Sequence, residues 1–177
     1  MSEADLESAV FSAVIVLCPL RAEQWPLYRD LRLRALRDAP EAFGSTLEAE
    51  AMRTDDDWAQ RAMRAAAGTD DQSWFAVHGE DACGLVWGKR VAGDTVEVFQ
   101  MWVDPQARGL GAGRRLLEAV IAWARGLGVT RVCLGVTVGE SAAARLYRGQ
   151  GFRPIGALEP LRKGSPLMCQ AMELRLD

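Results

Sequence analysis

An apolar segment at residues 96–103 leads into the turn Arg108-Gly109-Leu110-Gly111-Ala112-Gly113, and an amphipathic run follows at residues 114–127. Strand, glycine-rich turn and helix in succession fix where backbone donors are left over. The first N–H groups of a helix have no internal partner, and the helix dipole concentrates partial positive charge there. Glycines at alternate positions let a ligand approach that backbone closely, and a diphosphate is the ligand such a cradle suits. A purely structural turn satisfies the same spacing. Two common nucleotide patterns do not fit. A P-loop needs G-x-x-x-x-G-K-[ST], and no Lys-Ser or Lys-Thr follows these glycines. A dinucleotide fingerprint needs G-x-G-x-x-G, whereas Gly109, Gly111 and Gly113 alternate.

The flanking patterns define the fold class. Residues 12–17 predict a first strand rich in β-branched residues, broken by Pro19. Residues 24–37 predict a helix with Leu27, Leu31 and Ala35 on one face, and with Arg29, Arg32, Arg34 and Arg37 on a solvated one. Residues 38–46 have loop chemistry. Thr54 followed by Asp57 is a capping-box start for a second helix, which carries Trp58, Ala62 and Ala66 and ends near Gly68. Residues 73–78, 83–91 and 95–103 predict three strands joined by hairpin turns. Beyond the helix at 114–127, stopped by Gly128, come a strand at 132–138, a short helix at 141–150, and strands at 152–155 and 167–174. The order β-α-α-β-β-β-α-β-α-β-β runs an antiparallel meander into a βαβ unit. The expected class is therefore α/β of the mixed α+β kind, a central mixed, mostly antiparallel sheet with helices on both faces. Residues 12–177 read as one domain, and residues 1–11 as a flexible leader.

Composition narrows the function. A chain of 177 residues with 49% hydrophobic and 25% charged side chains is ordinary for a globular domain. A formal net charge of -3 argues against a nucleic-acid partner. No apolar run reaches the ~18 residues of a membrane helix, and Glu3, Asp5 and Glu7 stand where a signal peptide carries positive charge. No membrane partner and a cytoplasmic location are expected. Cys18, Cys83, Cys133 and Cys169 have no C-x-x-C spacing, and with the single His78 they form no zinc set. The expectation is buried free thiols and no metal. Between Glu41 and Asp57 six acidic side chains stand against Arg53, which mildly favours a cationic substrate.

The segments around the turn sharpen its reading. Met101-Trp102-Val103-Asp104-Pro105 precedes it and Arg114-Arg115-Leu116-Leu117 follows. Further on stands Glu140-Ser141-Ala142-Ala143-Ala144-Arg145-Leu146-Tyr147, then Gly151-Phe152. Together these closely resemble the GNAT superfamily of acetyl-CoA-dependent N-acetyltransferases. Its R/Q-x-x-G-x-G/A pattern is met by Arg108, Gly111 and Gly113, and its A-x-x-L-Y-x-x-x-G-F pattern by Ala143, Leu146, Tyr147, Gly151 and Phe152. The resemblance implies a sheet that splays after the fourth strand and acetyl-CoA as co-substrate. Pantetheine would pair with the backbone of Met101, Trp102 and Val103. The pyrophosphate would sit on the backbone of Arg108, Gly109, Leu110, Gly111, Ala112 and Gly113, with the Arg108, Arg114 and Arg115 side chains adding contacts. Glu140 stands where many relatives place an Asn against the cofactor. A homodimer is common in the family.

The implied chemistry is direct attack of a primary amine, from a small molecule or a peptide, on the thioester. Unperturbed lysine has a pKa of about 10.4, so neutral amine is scarce near pH 7 and a base helps. Tyr147 matches the tyrosine that acts as general acid in many relatives. Glu97 is the candidate base, with water-mediated deprotonation as the alternative. Gly135 stands where some peptide-modifying relatives carry a Glu, which weighs against ribosomal-protein acetylation. Phe43, Phe99 and Trp102 are candidates to line the acceptor pocket, while Trp25, Trp58, Trp74, Trp87 and Trp123 read as packing residues. The rival of a different class is a non-catalytic acyl-CoA-binding or sensing module.

Overall fold

The computed structural model describes residues 14–91 and 94–176; the expected leader at residues 1–11, the start of the first predicted strand and the turn residues Ala92 and Gly93 lie outside them. A seven-stranded sheet has the order β1-β2-β3-β4-β5-β7-β6. Its strands are β1 (Ile15–Pro19), β2 (Asp71–His78), β3 (Asp81–Val91), β4 (Thr95–Val103), β5 (Arg131–Thr137), β6 (Arg153–Pro160) and β7 (Met168–Arg175). Only β4 and β5 are parallel; the other neighbours are antiparallel. The helices are α1 (Trp25–Asp38), α2 (Leu47–Ala51), α3 (Asp55–Ala66), α4 (Ala112–Gly126) and α5 (Ala142–Gly149).

Several boundaries differ from the expectation for local reasons. β1 ends at Pro19 but includes it: Pro19 pairs with Trp74 at the sheet edge, where a missing N–H costs no ladder bond. The helix α2 was not expected; Thr46 caps it by accepting a hydrogen bond from Ala49 N at 3.2 Å. The capping box at Thr54 and Asp57 forms as read, but the buried stripe of α3 uses Ala65, not Ala66. β6 is twice the expected length, running along β7 at the exposed edge. Of the four free cysteines only Cys83 is buried; the other three are half-buried.

The sheet carries a core on each face, because successive strand residues point to opposite sides. Ala76 and Val86 pack with Leu116, Val120 and Ala124 of α4 on one face. Their neighbours Phe75, Leu85 and Trp87 pack with Tyr28, Leu31 and Trp58 of α1 and α3 on the other. The α4 face is tight. A Cβ added at Gly84 would lie 2.9 Å from the Trp102 carbonyl oxygen and 3.2 Å from Leu116, and one at Gly88 would lie 3.0 Å from both Trp123 and Val120. These glycines let α4 lie close against β3. Gly84→Ala is accordingly expected to destabilise the fold by about 1–3 kcal/mol, seen as a lower urea midpoint at unchanged m-value.

Candidate active site

Pairing between β4 and β5 covers only Thr95 with Arg131 through Val98 with Leu134. Beyond that point β5 continues beside β7 and β4 continues beside β3, so the sheet opens between them. In this opened stretch β4 is bulged. Phe99 faces Trp87 and Trp102 faces Leu85, which sets Gln100 and Met101 together against Val86. The extra residue is Gln100, at φ +56°, a conformation that non-glycine residues seldom adopt. The Tyr28 hydroxyl donates to Gln100 Oε1 at 3.0 Å, and Tyr28 is itself fully buried between Trp58 and Trp87. A one-residue insertion reverses which side chains face which side of a strand. Met101 and Val103 thereby turn toward the α4 side, while Trp102 enters the α1 core. The Trp102 side chain thus lies outside the cavity wall, and its backbone stands in register with Leu85 of β3.

The glycine-rich turn follows. Gly109 and Gly111 have φ of +82° and +84° with nothing within 4 Å of an added Cβ, and Gly113 packs against Leu146, Met101 and Val103. Gly111 is the N-cap of α4 and supplies no side-chain cap, so the first-turn amides of Ala112, Gly113 and Arg114 are not met by a capping oxygen. Leu110 is exposed at the tip. The arginines expected to add phosphate contacts are engaged elsewhere. Arg108 Nε donates to the Val103 carbonyl at 3.1 Å, and its Nη2 to Asp38. Arg114 bonds Glu118 at 2.8 Å, and Arg115 bonds the Ile15 carbonyl. The cradle therefore offers backbone amides, and Arg108 braces the turn from behind.

Across the opening stands α5, capped by Ser141 Oγ accepting from Ala144 N at 3.0 Å. It presents Tyr147, 5% exposed, with its ring 6.1 Å from that of Phe152. Burial pushes the Tyr147 phenol up to about 12. Glu140 lies before this helix with both carboxylate oxygens 3.0 Å from Arg148 Nη2, an internal pairing that the sequence reading did not anticipate.

A cavity of about 820 Å³ connects these parts; Tyr147, Met101, Glu97, Phe99 and Phe43 all line it. Glu97 and Phe99 alternate with Val96 and Val98, which are buried beneath α4, so they face the α1 side. Glu97 pairs in register with Lys89 on β3 and Cys133 on β5. Phe43 is held there because Arg162 Nη1 donates to the carbonyls of Pro40 and Phe43, at 3.1 and 2.8 Å, and Thr137 Oγ1 to that of Glu41 at 2.7 Å. Gly135 also lines the cavity; a Cβ there would lie 2.8 Å from Cys169 Sγ. The sulfur fills the place where a fifth-strand acid would project.

One expectation fails on the α1 side. Arg32 is not on a solvated face: it is 3% exposed. The buried set Tyr28, Leu31, Arg32, Ala35 and Leu36 follows the i, i+3, i+4, i+7, i+8 stripe of an amphipathic helix, so its spacing was the available signal. In the acidic segment five of the six acids are exposed and one is buried. Glu50 is 2% exposed, and its Oε2 accepts from Arg53 at 2.8 Å and Arg61 at 3.3 Å. Burial alone would raise that carboxyl, but the arginines outweigh it and hold it below the usual carboxylate range.

A family profile described as the acetyltransferase (GNAT) family matches residues 28–152, and the chain belongs to this family. It is 35% identical over 126 residues to a mycothiol acetyltransferase from Thermobispora bispora, a match covering 69% of this chain and 40% of that one. It is 36% identical over 85 residues to human N-acetylaspartate synthetase, covering 48% and 28% respectively. The chain thus spans less than half the length of these curated relatives. Among solved structures, a Salmonella typhimurium acetyltransferase determined with acetyl-CoA superposes with a TM-score of 0.74 at 20% identity, covering 92% of this chain and 94% of that one. Among the described residues no helix is long and apolar enough to cross a membrane.

The chain has two tyrosines, Tyr28 and Tyr147, and burial raises both phenols. Their contribution to stability is therefore complete below the ordinary phenol pKa of ~10 and is lost as pH rises through the folded values. Near pH ~10.5 the folded protein is expected to show little tyrosinate absorbance, whereas the urea-unfolded chain is about three-quarters ionised. A Tyr28→Phe variant isolates Tyr147; tyrosinate formation in it near pH 10 would contradict the burial argument.

Proposed function

We propose that the chain transfers the acetyl group of acetyl-CoA to a primary amine by direct attack, with Tyr147 assisting departure of the thiol. The observation that carries this reading is the single cavity joining three features. They are the unpaired edge of β4 at Met101, the Tyr147 phenol and the α1-side wall containing Glu97 and Phe43. The thioester donor fits the α4–α5 side, where the uncapped turn from Arg108 to Arg114 offers amides to a diphosphate and the β4 edge at Met101, beyond its pairing with β5, faces the cavity. The amine fits the opposite, α1 side, between Glu97, Phe99 and Phe43.

The step balances as follows. The ammonium loses one proton to Glu97 or to water, its freed lone pair forms the C–N bond, and the C–S bond breaks with the electron pair leaving on sulfur; the nitrogen gives up its second proton as the amide forms, and the thiolate takes one proton back from solvent as free thiol. Backbone N–H groups near the β4 bulge are placed for the oxyanion. Tyr147 donates to the departing sulfur. A phenol near 12 is a weaker acid than an ordinary thiol near ~8.5, so complete proton transfer to the thiolate is uphill. The main contribution of Tyr147 is then a hydrogen bond to developing charge, worth ~1.5–3 kcal/mol. The relatives' names differ, a mycothiol acetyltransferase in one case and an N-acetylaspartate synthetase in the other, so the acceptor here is argued from the cavity.

Tyr147→Phe should lower kcat by about 10- to 100-fold with little change in KM for acetyl-CoA, followed by release of free thiol. Equal turnover would remove Tyr147 from the chemistry. In the wild type, CoA binding without thiol release across an amine panel would favour the non-catalytic binding module. The base is tested separately: Glu97→Gln should abolish the acidic limb of the pH–rate profile, and an unchanged limb assigns deprotonation to water.

A further inference from the structure

We infer that Arg32 forms a carboxylate subsite on the α1 side of the cavity, so that the amine accepted by this chain carries a carboxylate; this rests on the acetyl-transfer reading above. Arg32 lines the cavity and is 3% exposed, yet its Nε and Nη1 are buried without a hydrogen-bond partner. Its guanidinium lies over the Phe43 ring at 4.7 Å, which leaves the in-plane N–H fork unused. Glu50 acts on Arg32 through its charge, while its Oε2 accepts from Arg53 and Arg61. Of the acids on the cavity wall, Asp71 accepts from Trp87 Nε1 at 2.8 Å, Glu97 stands opposite Lys89 and Glu159 lies across on β6.

Native interiors rarely leave buried donors unmet, and an unpaired buried guanidinium is among the more costly groups to keep. Burial lowers its proton affinity accordingly, partly offset by Glu50. A guanidinium takes a carboxylate in two parallel hydrogen bonds through Nη2 paired with either Nε or Nη1, and neither of those two nitrogens has a protein acceptor. Arg61 and Arg64 line the same cavity and add positive potential. Arg32 also sits one helical turn from Tyr28, about 6 Å along the axis, and Tyr28 is bonded to the bulge residue Gln100. A carboxylate at Arg32 therefore suits an amine separated from it by a short linker.

The test pairs glycine, β-alanine and L-methionine with their carboxamides, compared at equal neutral-amine concentration, with spermidine as a cationic amine. Thiol release should show kcat/KM favouring at least one carboxylate over its carboxamide by about 10- to 100-fold. Arg32→Met should bring that ratio close to one, chiefly through KM of the carboxylate, and Arg32→Lys should retain part of it. Arg32→Met should unfold at an equal or higher urea midpoint, because it removes a buried unpaired charge; a purely structural arginine would lose stability instead. A ratio at or below one, a preference for spermidine, or a ratio unchanged in Arg32→Met overturns the proposal. Should no amine release thiol, the acetyl-transfer reading fails, and the subsite is then judged by thermal shift with L-methionine in the presence of CoA. A shift in the wild type that Arg32→Met lacks supports it, and no Arg32-dependent shift overturns it.

Discussion

The hydrogen bond from Tyr28 to Gln100 holds the point on which the rest of the site depends. Gln100 occupies left-handed backbone space at the bulge that turns Met101 toward the α4 side and Trp102 toward α1. Without that extra residue, strict alternation would send Trp102 to the α4 face and Met101 into the aromatic core. Such strain persists only where the surroundings over-determine it. Here they do so through a phenol locked among two tryptophans, whose one polar atom has a partner in the bulge. The core and the opening of the sheet are therefore one construction.

The same helix reaches the phosphate-type turn by a second set of contacts. Arg34 pairs with Asp104, and Asp38 accepts from both Arg108 and Trp102 Nε1. Asp104 also accepts from the Gln106 amide, and this bond, with the Arg34 guanidinium, holds its carboxyl below the usual range. These pairs are partly exposed, and each contributes little to stability on its own. Their consequence is positional. One end of α1 holds the bulge and the other braces the turn, so both are registered against a single helix.

Local patterns made much of this legible. The strand–turn–helix from β4 to α4, the capping box at Thr54 and the meander of β2 to β4 each rest on short-range rules, and each is present in the fold. Tyr147, Glu97, Phe43 and Phe99 also converge on one cavity. Long-range partners were not legible. Arg108 reads as a phosphate ligand until Asp38, seventy residues earlier, is found beside it. Glu50 reads as surface charge until Arg61 folds over it. The bulge leaves no mark in a strand that alternates acceptably in either register, and the length of β6 depends on pairing with β7 rather than on its own residues.

Arg32 shows how such a miss arises and why it matters. Charge counting assigns an arginine to solvent, while helical spacing places this one in the buried stripe, and the two rules conflict at one residue. Conflicts between local chemistry and global burial are rare in a stable fold because each costs free energy. Neighbouring arginines resolve the same conflict in ordinary ways: Arg29 by Asp55, Arg34 by Asp104, Arg53 and Arg61 by Glu50. Arg32 alone among these five keeps two buried nitrogens unmet, and it does so on the wall of a cavity that joins the opened sheet to Tyr147. A cost retained at that place, and relieved everywhere around it, is most simply balanced by what enters the cavity.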